Sequence, residues 1–291
     1  MDKFLFALVY PMSRLPFGVL YFFSDLLYPL VYYVIRYRRK VVRKNLTRSF
    51  PEKPIDEILK IERKFYRFFC DYLFENIKSL TISQEEMKKR MVFENIEALA
   101  ETFKKKQLVF LYLGHFCNWE YIASVAWWMP EGTSTAQLYS KLHNEAMDRL
   151  FYRIRNHYGG ENINKKESLR RIIGIKKSGA RVMVGFVADQ GPKRENIHLW
   201  VDFLNQDTPV FTGTERIAKK VDAAIYYGAM RRVKRGYYRL ELEPITEDVT
   251  QYEEHELTRL FMKKLEEDIR KDPARWLWSH NRWKRQRNQH D

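Results

Sequence analysis

The chain has only two cysteines, Cys70 and Cys117, among its 291 residues. A disulfide framework is therefore excluded, and a cytosolic environment fits this cysteine content. No cysteine or histidine spacing indicates a metal site such as zinc. The sequence also lacks a G-x-S-x-G elbow, which disfavours a serine hydrolase. Hydrophobic residues make up 45% of the chain, so an ordinary packed core is expected to hold the fold.

Acidic residues are scarce relative to basic ones, and the formal net charge is +15. Such a charge attracts anionic partners, which include nucleic acid, acidic lipid headgroups and an acidic carrier protein. Two clusters of basic residues stand out, and the segment that holds the first contains no acid. The clusters are Arg36, Arg38, Arg39, Lys40, Arg43, Lys44 and Arg48, then Arg282, Lys284, Arg285 and Arg287.

A long uncharged run is missing from the apolar N-terminus. Residues 4–35 are strongly apolar, but Arg14, Asp25 and three prolines interrupt them, and no uncharged run reaches the ~18 residues of a membrane span. No small-residue cleavage site follows, so a secretory signal is disfavoured. We interpret residues 1–50 as a helical membrane anchor with a basic juxtamembrane segment, lying in one leaflet on the cytoplasmic side. A tilted span and a buried helical hairpin of the core are the alternatives.

The remainder, residues 51–291, reads as one domain in which strands alternate with helices. Two apolar runs, 108–113 and 181–188, are typical of buried strands, and residues 55–80 carry apolar positions at helical spacing. Residues 224–233 and 237–243 flank Arg-Gly and predict a hairpin. This pattern predicts an α/β fold with a central mixed sheet flanked by helices.

The most informative motif is Gly-His-Phe-Cys-Asn-Trp-Glu at residues 114–120, directly after the first buried strand. Catalytic groups in α/β sheets gather at such carboxyl ends. Histidine suits proton transfer near neutral pH, and a carboxylate on its other ring nitrogen would fix its tautomer. Glu120 is the nearest carboxylate to His115. Because positions five apart do not share a helix face, this pairing requires His115 to lie in the turn before the helix. A structural histidine is the alternative.

This motif resembles the H-x4-D/E box of the lysophospholipid acyltransferase superfamily, and more closely the G-H-F/x-G-N-W-E box of the bacterial lipid A biosynthesis acyltransferases. Cys117 stands where that family usually has glycine, and Ser140-Lys141 where it has Arg-Pro. Other segments are similar to the family in order and spacing. They are residues 36–51, residues 138–144, Arg155 with Gly159-Gly160, Asp189-Gln190, residues 212–218 and residues 278–284.

The resemblance implies a glycerolipid-acyltransferase-like fold and an enzyme at the cytoplasmic face of a bacterial inner membrane. Such an enzyme moves a fatty acyl group from an acyl thioester to a lipid hydroxyl, with no cofactor and no metal. The donor is an acyl carrier protein or acyl-CoA, and the acceptor is a lipid such as a lipid A precursor. A phospholipid, a glycolipid or an amino-acid lipid fits the sequence as well.

The resemblance also implies roles for particular residues. His115 is expected to act as the general base, and Glu120 to orient it. Residues that match other family elements are expected to bind substrate, and these are Asn118, Arg155, Asp189 and Gln190.

Two readings from other classes compete with a membrane enzyme. The net charge fits a nucleic-acid-binding protein, and a non-catalytic membrane adaptor would make the histidine box incidental. The basic run adjoins an apolar segment, however, and no nucleic-acid-binding motif is present. A membrane surface, and not nucleic acid, is therefore the expected partner.

Overall fold

The computed structural model describes residues 2–287, which form an α/β fold around one seven-stranded sheet. The helices are α1 (Asp2–Arg14), α2 (Phe17–Pro29), α3 (Arg39–Ser49), α4 (Ile55–Lys78), α5 (Gln84–Arg90), α6 (Ile96–Lys105), α7 (Glu145–Asn156), α8 (Ser168–Ser178), α9 (Gly213–Val221) and α10 (Glu256–Lys271). The strands are β1 (Met91–Glu94), β2 (Leu108–Leu113), β3 (Thr133–Tyr139), β4 (Glu161–Asn164), β5 (Arg181–Val187), β6 (Trp200–Phe203), β7 (Gln206–Pro209), β8 (Ala224–Lys234) and β9 (Tyr237–Thr246).

The sheet has the strand order β1-β9-β8-β2-β5-β3-β4. Strands β8 and β9 form an antiparallel hairpin, whereas the other neighbouring pairs in this sheet are parallel. The hairpin turns at Gly236, whose φ of +72° suits glycine. Strands β6 and β7 form a separate antiparallel ribbon. The predicted mixed sheet flanked by helices is confirmed, and so is the predicted hairpin.

Strand β2 lies at the centre of the sheet because all six of its residues are apolar and can be buried on both faces. It pairs with β5 in parallel, from Leu108 beside Val182 to Leu113 beside Val187. The residues that follow these two strands therefore emerge side by side at the carboxyl edge of the sheet. This register positions the candidate site.

The N-terminal segment is helical, as expected, and packs onto α4. Helices α1 and α2 lead into a π-helical turn (Leu30–Val34) and then α3. The inner face of α2 is held by Ser24, whose hydroxyl donates to Asp71, and by Tyr21, whose hydroxyl donates to Glu75. Asp25 forms an ion pair with Arg235 on the hairpin turn. The first fifty residues thus share polar and apolar contacts with the sheet domain.

The residues from Phe17 to Val34 form a helical stretch that is long and apolar enough to cross a membrane, by length and composition alone. Only 28% of that stretch is buried inside the structure. Large apolar side chains therefore remain exposed along its outer face, including Phe22 at 59% and Leu26 at 56%.

Short edge strands are the elements that the sequence pattern did not predict. Strand β1 lies within residues 84–106, which read as helix-prone, and β4 has the mostly polar sequence Glu-Asn-Ile-Asn. Each pairs on one side only, so neither needs a continuous apolar run. The segment after the histidine motif forms a 3-10 helix, Trp119–Trp127.

Candidate active site

His115 lies just beyond the carboxyl end of β2, and a carboxylate from the neighbouring strand β5 holds its ring. The His115 Nδ1 atom is 2.5 Å from Asp189 Oδ1, and the His115 backbone N–H donates to Asp189 Oδ2 at 2.9 Å. These two contacts fix both the backbone and the ring of His115. The sequence placed Asp189 among substrate-binding residues; in the structure it is the carboxylate that orients the imidazole.

Asp189 is buried, with 2% of its surface exposed, and it also accepts a hydrogen bond from the Trp276 indole at 2.7 Å. Burial alone would raise the pKa of Asp189. The charge and hydrogen bonds of His115, together with the Trp276 indole, outweigh burial and lower this pKa to about 2. Asp189 is therefore anionic at neutral pH and keeps the proton of the imidazole on Nδ1.

The other ring nitrogen of His115 faces the cleft. With the proton on Nδ1, Nε2 carries the lone pair, and the Gln190 side-chain amide nitrogen lies 3.1 Å from it. The Trp119 ring packs edge-on against the imidazole, with centroids 5.0 Å apart. Gln190, which the sequence placed among substrate-binding residues, therefore lies in the cleft beside Nε2.

Glu120 does not hold the His115 ring, which corrects the pairing expected from the sequence. Both Glu120 oxygens accept hydrogen bonds from Arg155, at 2.9 Å from Nε and 2.7 Å from Nη2. Between His115 and Glu120 the chain turns at Cys117, whose φ is +52°. This left-handed geometry favours glycine, the residue usual here in the resembling family, and it redirects the chain after His115.

Asn118 was expected to bind substrate, but it lies behind the cleft. Its side chain is fully buried, and its amide donates to Glu75 at 2.8 Å. Glu75 also accepts hydrogen bonds from the hydroxyls of Tyr238 and Tyr21. Burial raises the pKa of Glu75. Asn118 thus belongs to the buried polar network under the N-terminal helices, which joins the motif to α4.

The C-terminal segment holds the histidine motif in place through backbone hydrogen bonds. The Cys117 N–H donates to the Arg275 carbonyl, and the Leu277 N–H donates to the His115 carbonyl. The Trp276 backbone pairs with Phe116, while its indole reaches Asp189. Sequence reasoning missed Trp276. The only available signal was its position beside the Trp-x-His-x-Arg-Trp-Lys stretch.

A cleft of about 490 Å³ opens at this edge of the sheet, and His115, Gln190, Glu120 and Arg155 all line it. Most of the remaining wall is apolar, contributed by β2, β3, β5 and the 3-10 helix. The His115 imidazole thus faces a largely apolar cavity that also holds the Glu120–Arg155 ion pair. Within residues 2–287, no cluster of three His, Cys, Asp or Glu side chains could hold a metal ion.

The fold and this histidine–carboxylate pair define an α/β protein in which an oriented histidine faces a largely apolar cleft. The chain belongs to the bacterial lipid A biosynthesis acyltransferase family, whose profile it matches over residues 3–285. The lipid A biosynthesis palmitoleoyltransferase of Escherichia coli (strain K12) is 24% identical over 272 residues, which cover 93% of this chain and 87% of the relative. The lipid A biosynthesis acyltransferase of Shigella flexneri matches with the same identity and coverage. The chain is accordingly an acyltransferase.

The Glu120–Arg155 pair is expected to stabilise the fold as well as line the cleft. Replacing Arg155 by Ala should lower the free energy of unfolding by about 3 kcal/mol, because it leaves the buried Glu120 carboxylate without its partner. Urea unfolding followed by circular dichroism measures this change.

The exposed pair Arg171–Glu161 offers a matched control, since both side chains are at least 40% exposed. Arg171→Ala should cost at most about 1 kcal/mol. The double variant Glu120→Gln/Arg155→Met should lose less stability than the sum of its single variants. Equal losses for Arg155→Ala and Arg171→Ala would contradict a buried, coupled pair.

Proposed function

We propose that the protein transfers a fatty acyl group from an acyl thioester to a hydroxyl of a lipid A precursor, with His115 as the general base. The observation that carries this proposal is the His115–Asp189 contact, which leaves the Nε2 lone pair facing an apolar cleft. An oriented imidazole of this kind removes a proton from a hydroxyl as the hydroxyl attacks a carbonyl. Membership in the lipid A acyltransferase family supports the reaction class and the kind of acceptor.

In this mechanism the acceptor hydroxyl replaces the Gln190 amide at His115 Nε2. His115 takes the hydroxyl proton while the oxygen attacks the thioester carbonyl, and Asp189 stabilises the imidazolium that forms. The tetrahedral intermediate collapses, the C–S bond breaks, and the proton on Nε2 passes to the departing thiolate. An ester and a thiol are the products.

The developing oxyanion needs a hydrogen-bond donor close to His115. We assign this donation to the Gln190 amide, which lies 3.1 Å from Nε2 in this structure and is released when the hydroxyl takes its place. We do not assign this role to Arg155, because two of its guanidinium nitrogens, Nε and Nη2, donate to Glu120. We assign Glu120 and Arg155 to positioning the acceptor in the cleft.

We propose an acyl carrier protein as the donor, with acyl-CoA as the alternative. A net charge of +15 steers an acidic carrier protein toward the enzyme. The test is incubation of the purified protein with bacterial membranes and labelled acyl carrier protein, followed by mass spectrometry of the lipids. A lipid A precursor should gain one acyl chain. A mass gain confined to phospholipid would identify another acceptor, and no gain in any lipid would refute acyl transfer.

We also propose that the outer face of α2 rests in the cytoplasmic leaflet of the inner membrane. Val19, Phe22, Phe23 and Leu26 are all exposed there. Arg36, Arg38, Arg39 and Lys40 follow at the end of the apolar segment, where each basic residue contributes about 1 kcal/mol on an anionic surface. The contacts of Ser24 and Asp25 with Asp71 and Arg235 hold the inner face on the protein, which supports a helix lying along the surface instead of crossing it.

Replacing Phe22, Phe23 and Leu26 by Ser should weaken binding to anionic vesicles by about a hundredfold or more, because three apolar side chains no longer enter the leaflet. Sedimentation with phosphatidylglycerol vesicles measures the change. Leu169 and Val233 are exposed apolar residues elsewhere, so Leu169→Ser/Val233→Ser serves as the control. Undiminished binding of the triple variant would remove the α2 surface from the proposal.

A further inference from the structure

Gly185, in the middle of β5, has no structural reason to be glycine. Its φ is not in the left-handed region, and a Cβ built there would meet only Leu113 Cδ1 at 3.7 Å and the Ala136 carbonyl at 3.9 Å, which are ordinary contacts. By comparison, a Cβ at Gly228 on β8 would lie 2.5 Å from Leu113 Cδ2. A glycine inside a strand weakens it, and it often marks a place where a ligand approaches the backbone.

Gly185 belongs to one face of the sheet, and this face forms a wall of the cleft. Because side chains alternate along a strand and neighbouring parallel strands are in register, residues of this face form layers. The layer nearest the carboxyl edge contains Leu113 and Val187, and the next contains Leu111, Gly185 and Gln137.

A third layer of the same face contains Met183 and Thr135, which pair across β5 and β3. Residues of all three layers line the cleft, so it descends along the sheet instead of stopping at the edge. Four residue steps along β5 separate the first layer from the third, and at a strand rise of about 3.3 Å per residue this distance is about 13 Å.

The 3-10 helix contributes further apolar side chains to the wall. Ile122, Ala123 and Val125 all line the cleft. The missing side chain of Gly185 leaves space at the middle layer of the strand face. An apolar channel with this space suits an unbranched hydrocarbon chain. Its mouth lies at the sheet edge, where His115 is located.

We infer that this channel receives the acyl chain of the donor and that Gly185 sets the chain length the enzyme accepts. The inference rests on the proposed acyl transfer and adds a specificity-determining residue to it. An extended chain advances about 1.2 Å per bond, since three backbone bonds of a polypeptide cover about 3.6 Å. A side chain at position 185 would close the channel above its third layer, about 6–7 Å from the end, and so exclude the last five or so carbons.

The test compares Gly185→Ala and Gly185→Val with the wild-type full-length protein. Acyl carrier protein thioesters from about eight to about sixteen carbons are the donors, and a lipid A precursor is the acceptor. The preferred chain should shorten by about two carbons in the Ala variant and by about five in the Val variant. Rates with the shortest donors should stay within about twofold of wild type.

Two further variants separate this effect from general damage. Gly174 in α8 is exposed and has nothing within 4 Å of a built Cβ, so Gly174→Val should keep the wild-type chain-length profile. Met183→Ala lengthens the channel at its far end and should extend the accepted chain. Thermal melting confirms that each variant is folded.

Calorimetric binding of free fatty acids of the same lengths gives a readout that does not need transfer. If the wild type transfers acyl groups and folded Gly185→Val keeps the wild-type profile, the channel assignment is overturned and the proposed function stands. If the wild type transfers nothing but Gly185→Val still shortens the fatty acids that bind, the proposed function fails and the channel stands. A wild type that binds no fatty acid overturns the inference.

Discussion

His115→Ala is expected to lower acyl transfer by at least about a thousandfold while the protein stays folded. The proposed base is the His115 imidazole, whose Nε2 faces the cleft, and general base catalysis alone contributes about 10²–10⁴-fold. The loss should appear in kcat, because the ring makes its contribution as the hydroxyl is deprotonated. Steady-state acyl transfer to a lipid A precursor measures the loss.

His198 supplies the control, since it is exposed and does not line the cleft. His198→Ala should keep wild-type rates. Circular dichroism and a melting curve should show that His115→Ala is folded, although it loses the hydrogen bond from Nδ1 to Asp189. Wild-type activity in folded His115→Ala would remove the base from the mechanism.

Asp189→Asn is expected to lower kcat by about 10³–10⁴-fold, with little change in KM. The Asn amide can donate to Nδ1 and so favours the tautomer with the proton on Nε2, which cannot act as a base. The neutral amide also no longer stabilises the imidazolium. Asp189 is buried and does not line the cleft, so substrate binding has no reason to weaken. Asp202→Asn, an exposed aspartate on β6, is the control and should leave kcat unaltered.

The same substitution distinguishes Asp189 from Glu120 as the partner of His115. If Asp189 orients the base, Asp189→Asn should lower kcat far more than Glu120→Gln does, because only the first change removes the carboxylate from Nδ1. Glu120→Gln should act mainly through acceptor binding, seen in KM, and through the loss of its contacts with Arg155. A loss of kcat of about 10³-fold in Glu120→Gln, without a comparable loss in Asp189→Asn, would restore the pairing expected from the sequence.

Asp189 also links stability to pH. The pKa of Asp189 is lowered in the folded protein from 3.8 to about 2, so the folded state holds fewer protons there than the unfolded state. This contribution to stability is complete above about pH 4 and is lost as the pH falls from there toward 2. Asp189→Asn should remove that part of the acid dependence, which urea unfolding at several pH values would detect.

Several parts of this fold could be predicted from the sequence. Strand β2 is a six-residue apolar run and β5 is nearly so, and such runs must be buried on both faces. Arg235-Gly236 between two alternating segments indicated the hairpin. The short strands β1 and β4 could not be predicted in the same way, because edge strands need little apolar sequence and gain their hydrogen bonds from a neighbour remote in the chain.

The position of His115 was determined by sequence alone, because a histidine after a buried strand must emerge at the carboxyl edge of the sheet. The carboxylate that contacts its ring was decided only by the tertiary structure. Asp189 is 74 residues away from His115, and the two meet because β2 and β5 are parallel neighbours in register. Glu120, five residues away, is turned toward Arg155 by the left-handed backbone at Cys117. The partner of His115 is therefore set by the pairing of β2 with β5 and not by distance along the chain, because residues that follow neighbouring parallel strands emerge together at the sheet edge.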